Sequence, residues 1–293
     1  MKALRRLLLL ALLVLAAGWF FTRPAPLSSD ALDGYVGDAT RGEISFAIAG
    51  CASCHAAPDG DPQLLAGGRK FASDFGTFVA PNISADVTYG IGGWSDLEIA
   101  SAIITGSSPD GRHYYPVFPY ASYAKAELQD VVDLIAYMRT LPASPTPSQP
   151  HAVGLPFNIR QGLGAWKALY FRDTWVLKDA QTPEIERGRY LVEALGHCAE
   201  CHTSRTALGG LDTARWMAGA PNPAGEGRIP NITSGGLAWS VGEIADYLES
   251  GFTPEYDSAG GEMAAVIRNT SQLDAGDRRA IATYLKALPA VAN

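Results

Sequence analysis

Cysteine is scarce in this 293-residue chain and none is spare: all four fall in two copies of one pentapeptide, which leaves no thiol for a disulfide. A basic excess is missing too. Lys and Arg number 23 against 30 Asp and Glu, a formal net charge of −7, which excludes the cationic face that nucleic-acid binding needs. Without a leader carrying Lys2, Arg5 and Arg6 the remainder would stand at −10 (−7 minus 3). No His-x-x-x-His pair and no further Cys-x-x-Cys accompanies the pentapeptides, so the ligand count falls short of a zinc tetrahedron. The Gly- and Pro-rich stretches carry no strand pattern. Apolar residues are abundant at 47%, which excludes a disordered chain, and the length suits two domains of ordinary size.

The pentapeptide is Cys-x-x-Cys-His, at Cys51-Ala52-Ser53-Cys54-His55 and at Cys198-Ala199-Glu200-Cys201-His202. Two thiols three residues apart can each add to a vinyl group on one porphyrin edge, while the adjacent histidine passes under the ring and offers an imidazole to iron. Cys-x-x-Cys alone would fit half a zinc site or a thiol redox pair equally well. With histidine present both times, the pattern predicts two covalently attached c-type haems, with His55 and His202 as the proximal ligands.

The N-terminus runs without a charge from Leu7 to Phe21, after Lys2, Arg5 and Arg6 and before Arg23. This is an export segment, with its basic end on the cytoplasmic side and the rest of the chain on the far side. Ala16-Ala17-Gly18 suits a signal peptidase, whereas Trp19, Phe20 and Phe21 resemble an interfacial belt. We expect residues 1–23 to be a retained anchor on the periplasmic side of the inner membrane; a cleaved leader would leave a soluble periplasmic protein.

An internal repeat with offsets of 145 to 149 residues organises the remainder. Arg41-Gly42 matches Arg187-Gly188, Pro81-Asn82-Ile83-Ser84 matches Pro230-Asn231-Ile232-Thr233, and Trp94-Ser95 matches Trp239-Ser240. Gly106 matches Gly251, and Tyr137 matches Tyr284. The repeat predicts domains over 35–142 and 184–291 joined by 143–183. Each has a helix before its cysteines, a second helix opened by a Ser-x-x-Glu capping box (Ser95 with Glu98, Ser240 with Glu243), and a third helix ended by proline. The apolar stripe of the third helix is Leu134, Tyr137, Met138 and Leu141, and again Ile281, Tyr284, Leu285 and Leu288. In the connection, Trp166, Tyr170, Phe171 and Trp175 are too many aromatics for a free linker.

Besides the two motifs and the two Asn-Ile-Ser/Thr turns, the chain contains Gly90-Ile91-Gly92-Gly93-Trp94-Ser95, Tyr115-Pro116-Val117-Phe118-Pro119-Tyr120 and Leu155-Pro156-Phe157-Asn158-Ile159-Arg160. In these residues, over roughly 35–290, it resembles the dihaem and multihaem c-type cytochromes related to the cytochrome subunits of membrane-bound bacterial alcohol and aldehyde dehydrogenases. The resemblance implies an all-α fold of two tandem cytochrome c domains with long haem-wrapping loops. It also implies electron transfer in the periplasm. Asn82 and Asn231 are then read as turn residues whose amides face a haem propionate.

The distal ligands must come from few donors. Met263 lies in the loop before the last helix and is expected to ligate the second haem, where a thioether raises the potential. The residue matching it in the first repeat is Phe118, which has no lone pair. His113, on the same loop, is the tentative sixth ligand there; the alternatives are an open site or Met138, whose helix position otherwise suits core packing. His151 and His197 suggest surface or supporting roles, and Asn269 matches an Asn-x-Ser acceptor as Asn82 and Asn231 do. The leading function is electron transfer from a periplasmic dehydrogenase to a respiratory acceptor, with no catalytic residue of its own. A dihaem peroxidase-like enzyme with an open first haem is the alternative, and a sensor of diatomic gas is the third reading.

Overall fold

The computed structural model describes residues 2–58, 60–223, 225 and 227–292. Met1, at the head of the leader, lies outside the described residues.

The apolar leader forms one helix, α1 (Lys2–Thr22), long and apolar enough to cross a membrane. The first half of the remaining chain opens with α2 (Ala39–Ile48), whose N-terminal amides are capped by the Asp38 carboxylate. Then come α3 (Cys51–His55), strands β1 (Lys70–Ser73) and β2 (Gly76–Val79), α4 (Asp96–Thr105), α5 (Tyr120–Tyr123) and α6 (Leu128–Met138). The connection adds β3 (Ala152–Val153) and α7 (Gly162–Tyr170). The second half has α8 (Pro183–Arg189), running into a π-helical turn over Tyr190–Leu195, and α9 (Ala199–His202). Strands β4 (Ala220–Pro221) and β5 (Arg228–Ile229) follow, then α10 (Val241–Ser250), α11 (Met263–Thr270) and α12 (Ala275–Ala287).

Both predicted capping boxes form, with the Ser95 and Ser240 hydroxyls accepting from Glu98 and Glu243 amides while each glutamate reaches back to the serine. Gly106 and Gly251 end α4 and α10 in the left-handed conformation, at φ 59° and 77°, which glycine adopts without a Cβ clash.

The two halves share one helix crossing. A Cβ on Gly42 of α2 would stand 1.9 Å from the Asp133 carbonyl of α6, and one on Gly188 of α8 would stand 1.9 Å from the Ala280 carbonyl of α12. Only glycine permits these backbones to approach so closely. Each crossing is clamped by an arginine preceding its glycine: Arg41 Nε donates to Asp133 at 2.7 Å, and Arg187 Nε donates to Asp277 at 2.7 Å.

The expectation of loops without strands is corrected. β1 and β2 form an antiparallel hairpin that pairs Lys70 with Val79, and β3 from the connection joins its free edge. Val79 N–H donates to His151 Nδ1, which places this histidine in the sheet rather than at the surface. Two to four residues per strand are too short to show an alternating pattern in sequence. The connection also bridges the halves. Trp166 Nε1 donates to the Leu208 carbonyl at 3.0 Å and its ring meets Tyr120 at 6.3 Å. Trp175 lies under Arg189, and the next two amides, of Val176 and Leu177, donate to the buried Glu193 carboxylate.

Candidate haem centres

Gly50, at φ 64°, turns the chain from α2 into α3, and Tyr123 Oη donates to the Ala49 carbonyl at 2.8 Å to hold that turn. The helical turn puts Cys51 and Cys54 on one side and carries His55 to its end. His55 Nδ1 donates to the Pro81 carbonyl at 2.9 Å, and in the second half His202 Nδ1 donates to the Pro230 carbonyl at 2.9 Å. A carbonyl can only accept, so the proton is on Nδ1 in both rings and the Nε2 lone pair is left as the donor. This is the orientation device commonly found behind a metal-bound histidine. Burial lowers the pKa of both rings, which keeps them neutral and competent to ligate.

The proline carbonyls are positioned by a loop approach common to both halves. Gly67 N–H donates to the His55 carbonyl at 2.7 Å and Gly219 N–H to the His202 carbonyl at 2.8 Å. A Cβ on Gly67 or Gly219 would come within 2.5 or 2.6 Å of the strand bearing the proline. Sequence reasoning missed both glycines and both carbonyls; their signal was the proline before each repeated asparagine.

All four cysteines are unpaired. Burial pushes the thiols of Cys51 and Cys198 up to about 12 and that of Cys54 to about 11, and it raises Cys201 as well. Each pair sits on one helical turn with a histidine directly after it, a residue that a thiol redox pair does not need. Among the described residues no cluster of three His, Cys, Asp or Glu side chains converges as a zinc site would. The donor set therefore fits a porphyrin: paired neutral thiols on one helical turn beside an oriented imidazole.

Both asparagines brace loop backbone. Asn82 is buried, and its amide donates both hydrogens, to the carbonyls of Ser144 and Thr146, while Oδ1 accepts from Ser84 N–H. Asn231 donates to the Val291 carbonyl and accepts from Thr233. Both clip the proline loop to the strand-like segment beyond the last helix of their half. Asn269 donates to Ser53 Oγ inside the first motif, at the junction of the halves.

Cys51 shares an apolar cluster with Phe46, Tyr123, Phe118 and Met138. Cys198 packs in the cluster that also receives half-buried Met263, the first residue of α11. The second cluster also contains fully buried Met217. His113 is engaged elsewhere. Its ring is buried, Nε2 donates to the Thr22 carbonyl of α1 at 2.7 Å, and Nδ1 has no hydrogen-bond partner. Burial and the nearby Lys167 charge lower its pKa.

The two motifs meet at the junction. Arg69 donates to the Ser53 carbonyl of the first motif at 3.1 Å and to the Glu262 carboxylate of the second half at 2.7 Å. Tyr123 and His197 pack edge to face across the same boundary, ring centres 5.5 Å apart.

No family model matches the chain. It is 56% identical over 287 residues to a dihaem cytochrome c-type protein of Cereibacter sphaeroides, covering 97% of each chain. It is 35% identical to the fructose dehydrogenase cytochrome subunit of Gluconobacter japonicus, over 93% of this chain and 56% of that one. With the cytochrome c subunit of the quinone-dependent alcohol dehydrogenase of Gluconobacter oxydans it shares 32% identity, over 86% of this chain and 55% of the subunit. The chain therefore spans nearly all of the first relative and a little more than half of the dehydrogenase subunits. With two oriented histidines, a cysteine pair before each and these relatives, the chain belongs to the dihaem c-type cytochromes and is an electron-transfer protein.

Proposed function

We propose that this chain is a periplasmic electron carrier, anchored by α1, that accepts electrons from a dehydrogenase and delivers them to a respiratory acceptor. Residues 35–142 and 184–291 are read as two cytochrome c domains, and 143–183 as the segment that fixes their relative position. One observation carries the reading: the His55 and His202 rings are held alike, Nδ1 on a proline carbonyl at 2.9 Å, behind paired thiols in two halves that meet at one junction.

Cys51 with Cys54, and Cys198 with Cys201, would hold the two haems through thioether bonds. His55 and His202 would offer imidazoles to the irons, and Met263 a thioether in the second half. Bound at these positions, haem iron supplies one-electron transfer, and the protein sets its potential through ligand and burial. The proline carbonyls hold each imidazole in the ligating tautomer, and the apolar clusters around Cys51 and Cys198 exclude water from the ring edges.

Two measurements test this. Denatured protein should keep its haem stain and show a mass increased by two porphyrins. Membranes from cells lacking the gene should lose a c-type absorption that dehydrogenase substrates reduce in the parent strain. One haem per chain, or an absorption that no such substrate reduces, would overturn the reading.

A further inference from the structure

Helix α7 turns its charge the wrong way for a helix on a water-facing surface. Its only charged residue is Lys167, and that ammonium points inward, donating to the carbonyls of Thr105 at 2.6 Å and Gly106 at 2.9 Å and lying 4.7 Å from the Tyr120 ring centre. The outward positions are Gly162, Ala165, Ala168 and Leu169. The turn leading into the helix exposes Leu155 by 77%, Phe157 by 45% and Ile159 by 51%, and Leu169 is 58% exposed. Aliphatic groups outside with the cation inside is the polarity of an element facing lipid.

The end of α1 is seated directly on this helix. The Thr22 carbonyl accepts from His113 Nε2 at 2.7 Å, and a Cβ on Gly164 of α7 would stand 2.1 Å from that same oxygen. Five residues on, Leu27 N–H donates to Ser101 Oγ at 3.1 Å, so the chain is fixed to the first half without a slack linker. At 1.5 Å per residue α1 is about 30 Å long, of which the uncharged run from Leu7 to Phe21 makes about 22 Å and the basic first turns the cytoplasmic headgroup end. Its exposed Trp19, Phe20 and Phe21 lie at the end nearest α7, with Arg23 stacked on Phe20 at 4.5 Å. Where α1 leaves the lipid, α7 is already in contact with it.

We propose that the apolar face made by Leu155, Phe157 and Ile159 in the turn before α7 and by Leu169 on α7 lies in the periplasmic headgroup layer of the phospholipid bilayer that α1 crosses. The inference rests on the reading of α1 as a retained anchor. The first half then lies against the membrane and meets any membrane-embedded redox partner. Exposed Arg23 and Arg172, beside the apolar face, sit at the level of the lipid phosphates.

The test uses the full haem-loaded chain in nanodiscs of phosphatidylcholine and phosphatidylglycerol, spin-labelled at one site at a time through Leu10→Cys, Ile159→Cys, Leu169→Cys or Tyr256→Cys. Collisions with oxygen report lipid, and collisions with a nickel chelate report water. Labels at 159 and 169 should lose nickel collisions as the label at 10 does, while the label at 256, in the second half, keeps them. A lipid-embedded label at 10 with labels at 159 and 169 as wet as that at 256 overturns the proposal and leaves the anchor standing. A mature chain whose mass shows it beginning at or after Trp19 overturns the anchor and the proposal together. As a check without new cysteines, trypsin should cut after Arg172 far more slowly in nanodiscs than in detergent, with cleavage after Arg268 unchanged; equal rates after Arg172 count against the proposal.

Discussion

Arg69 in the first half and Glu262 in the second are joined by a short ion pair, with Arg69 Nη2 donating to both carboxylate oxygens at 2.7 Å. The other terminal nitrogen, Nη1, donates to the Ser53 carbonyl at 3.1 Å, inside the first Cys-x-x-Cys-His motif. Glu262 is the residue before Met263. One guanidinium therefore ties the backbone of one haem motif to the N-terminus of α11, whose first residue is the other motif's proposed sixth ligand.

Arg69→Ala should remove this tie. The carboxylate is 64% exposed, so the pair itself is worth no more than about 1 kcal/mol. The larger effect falls on the start of α11. In the variant, the near-infrared band of sulfur-ligated ferric haem should weaken, and Arg69→Lys, which keeps charge but not both contacts, should restore it only in part. A band of unchanged intensity in Arg69→Ala would show that Met263 is held without the bridge.

The glycines at the two helix crossings give a paired prediction. Gly42→Ala and Gly188→Ala each force a methyl to within 1.9 Å of a backbone carbonyl, so helices must separate. Overpacking of this kind costs about 1–3 kcal/mol. Denaturant unfolding should show that loss for both variants, and haem loading should fall chiefly in the half that carries the substitution. Equal loss from both halves would mean that the halves fold as one unit.

What could be read in the sequence was mostly local. The Ser95 and Ser240 capping boxes each depend on residues within a few positions of one another, and both form as read. What escaped depends on distant partners. The partners of the Asn82 amide, Ser144 and Thr146, lie 62 and 64 residues away. The His113 ring is engaged by Thr22, 91 residues earlier, and no periodicity announces that contact. The repeat exposed Gly42 and Gly188, but the reason for them, carbonyls on α6 and α12, appears only once those helices cross.

Lys167 supplies a pH dependence. Burial lowers its pKa from 10.5 to about 8. Between those values the unfolded chain holds a proton that the folded chain has released, so stability rises with pH through the window and the gain is absent below it. Its magnitude is reduced by the partial exposure of the ammonium. Denaturant midpoints at about pH 7.5 and about pH 9.5 should differ in this direction for the parent, and the difference should shrink in Lys167→Met. An unchanged difference in the variant would assign the dependence to other groups.

The last prediction concerns unequal haems. Phe118, which matches Met263 in the repeat, packs in the Cys51 cluster, and a phenyl ring offers iron no lone pair. One haem only should therefore show the sulfur-to-iron band. Met263→Ala should abolish that band and lower one midpoint potential, by an amount within the roughly 0.8 V that axial ligands span, leaving the other unmoved. Phe118→Met should move the first site toward the spectrum of the second. For His113, whose Nε2 is engaged by Thr22, replacement by alanine should leave the haem spectra in place and loosen the α1 seat instead, measured as faster proteolysis near Arg23. A first haem that turns from low-spin to high-spin in His113→Ala would show that the imidazole swings from Thr22 onto iron. Two identical His/Met haems in the unmodified protein would mean that Phe118 and Met263 are not equivalent positions at all.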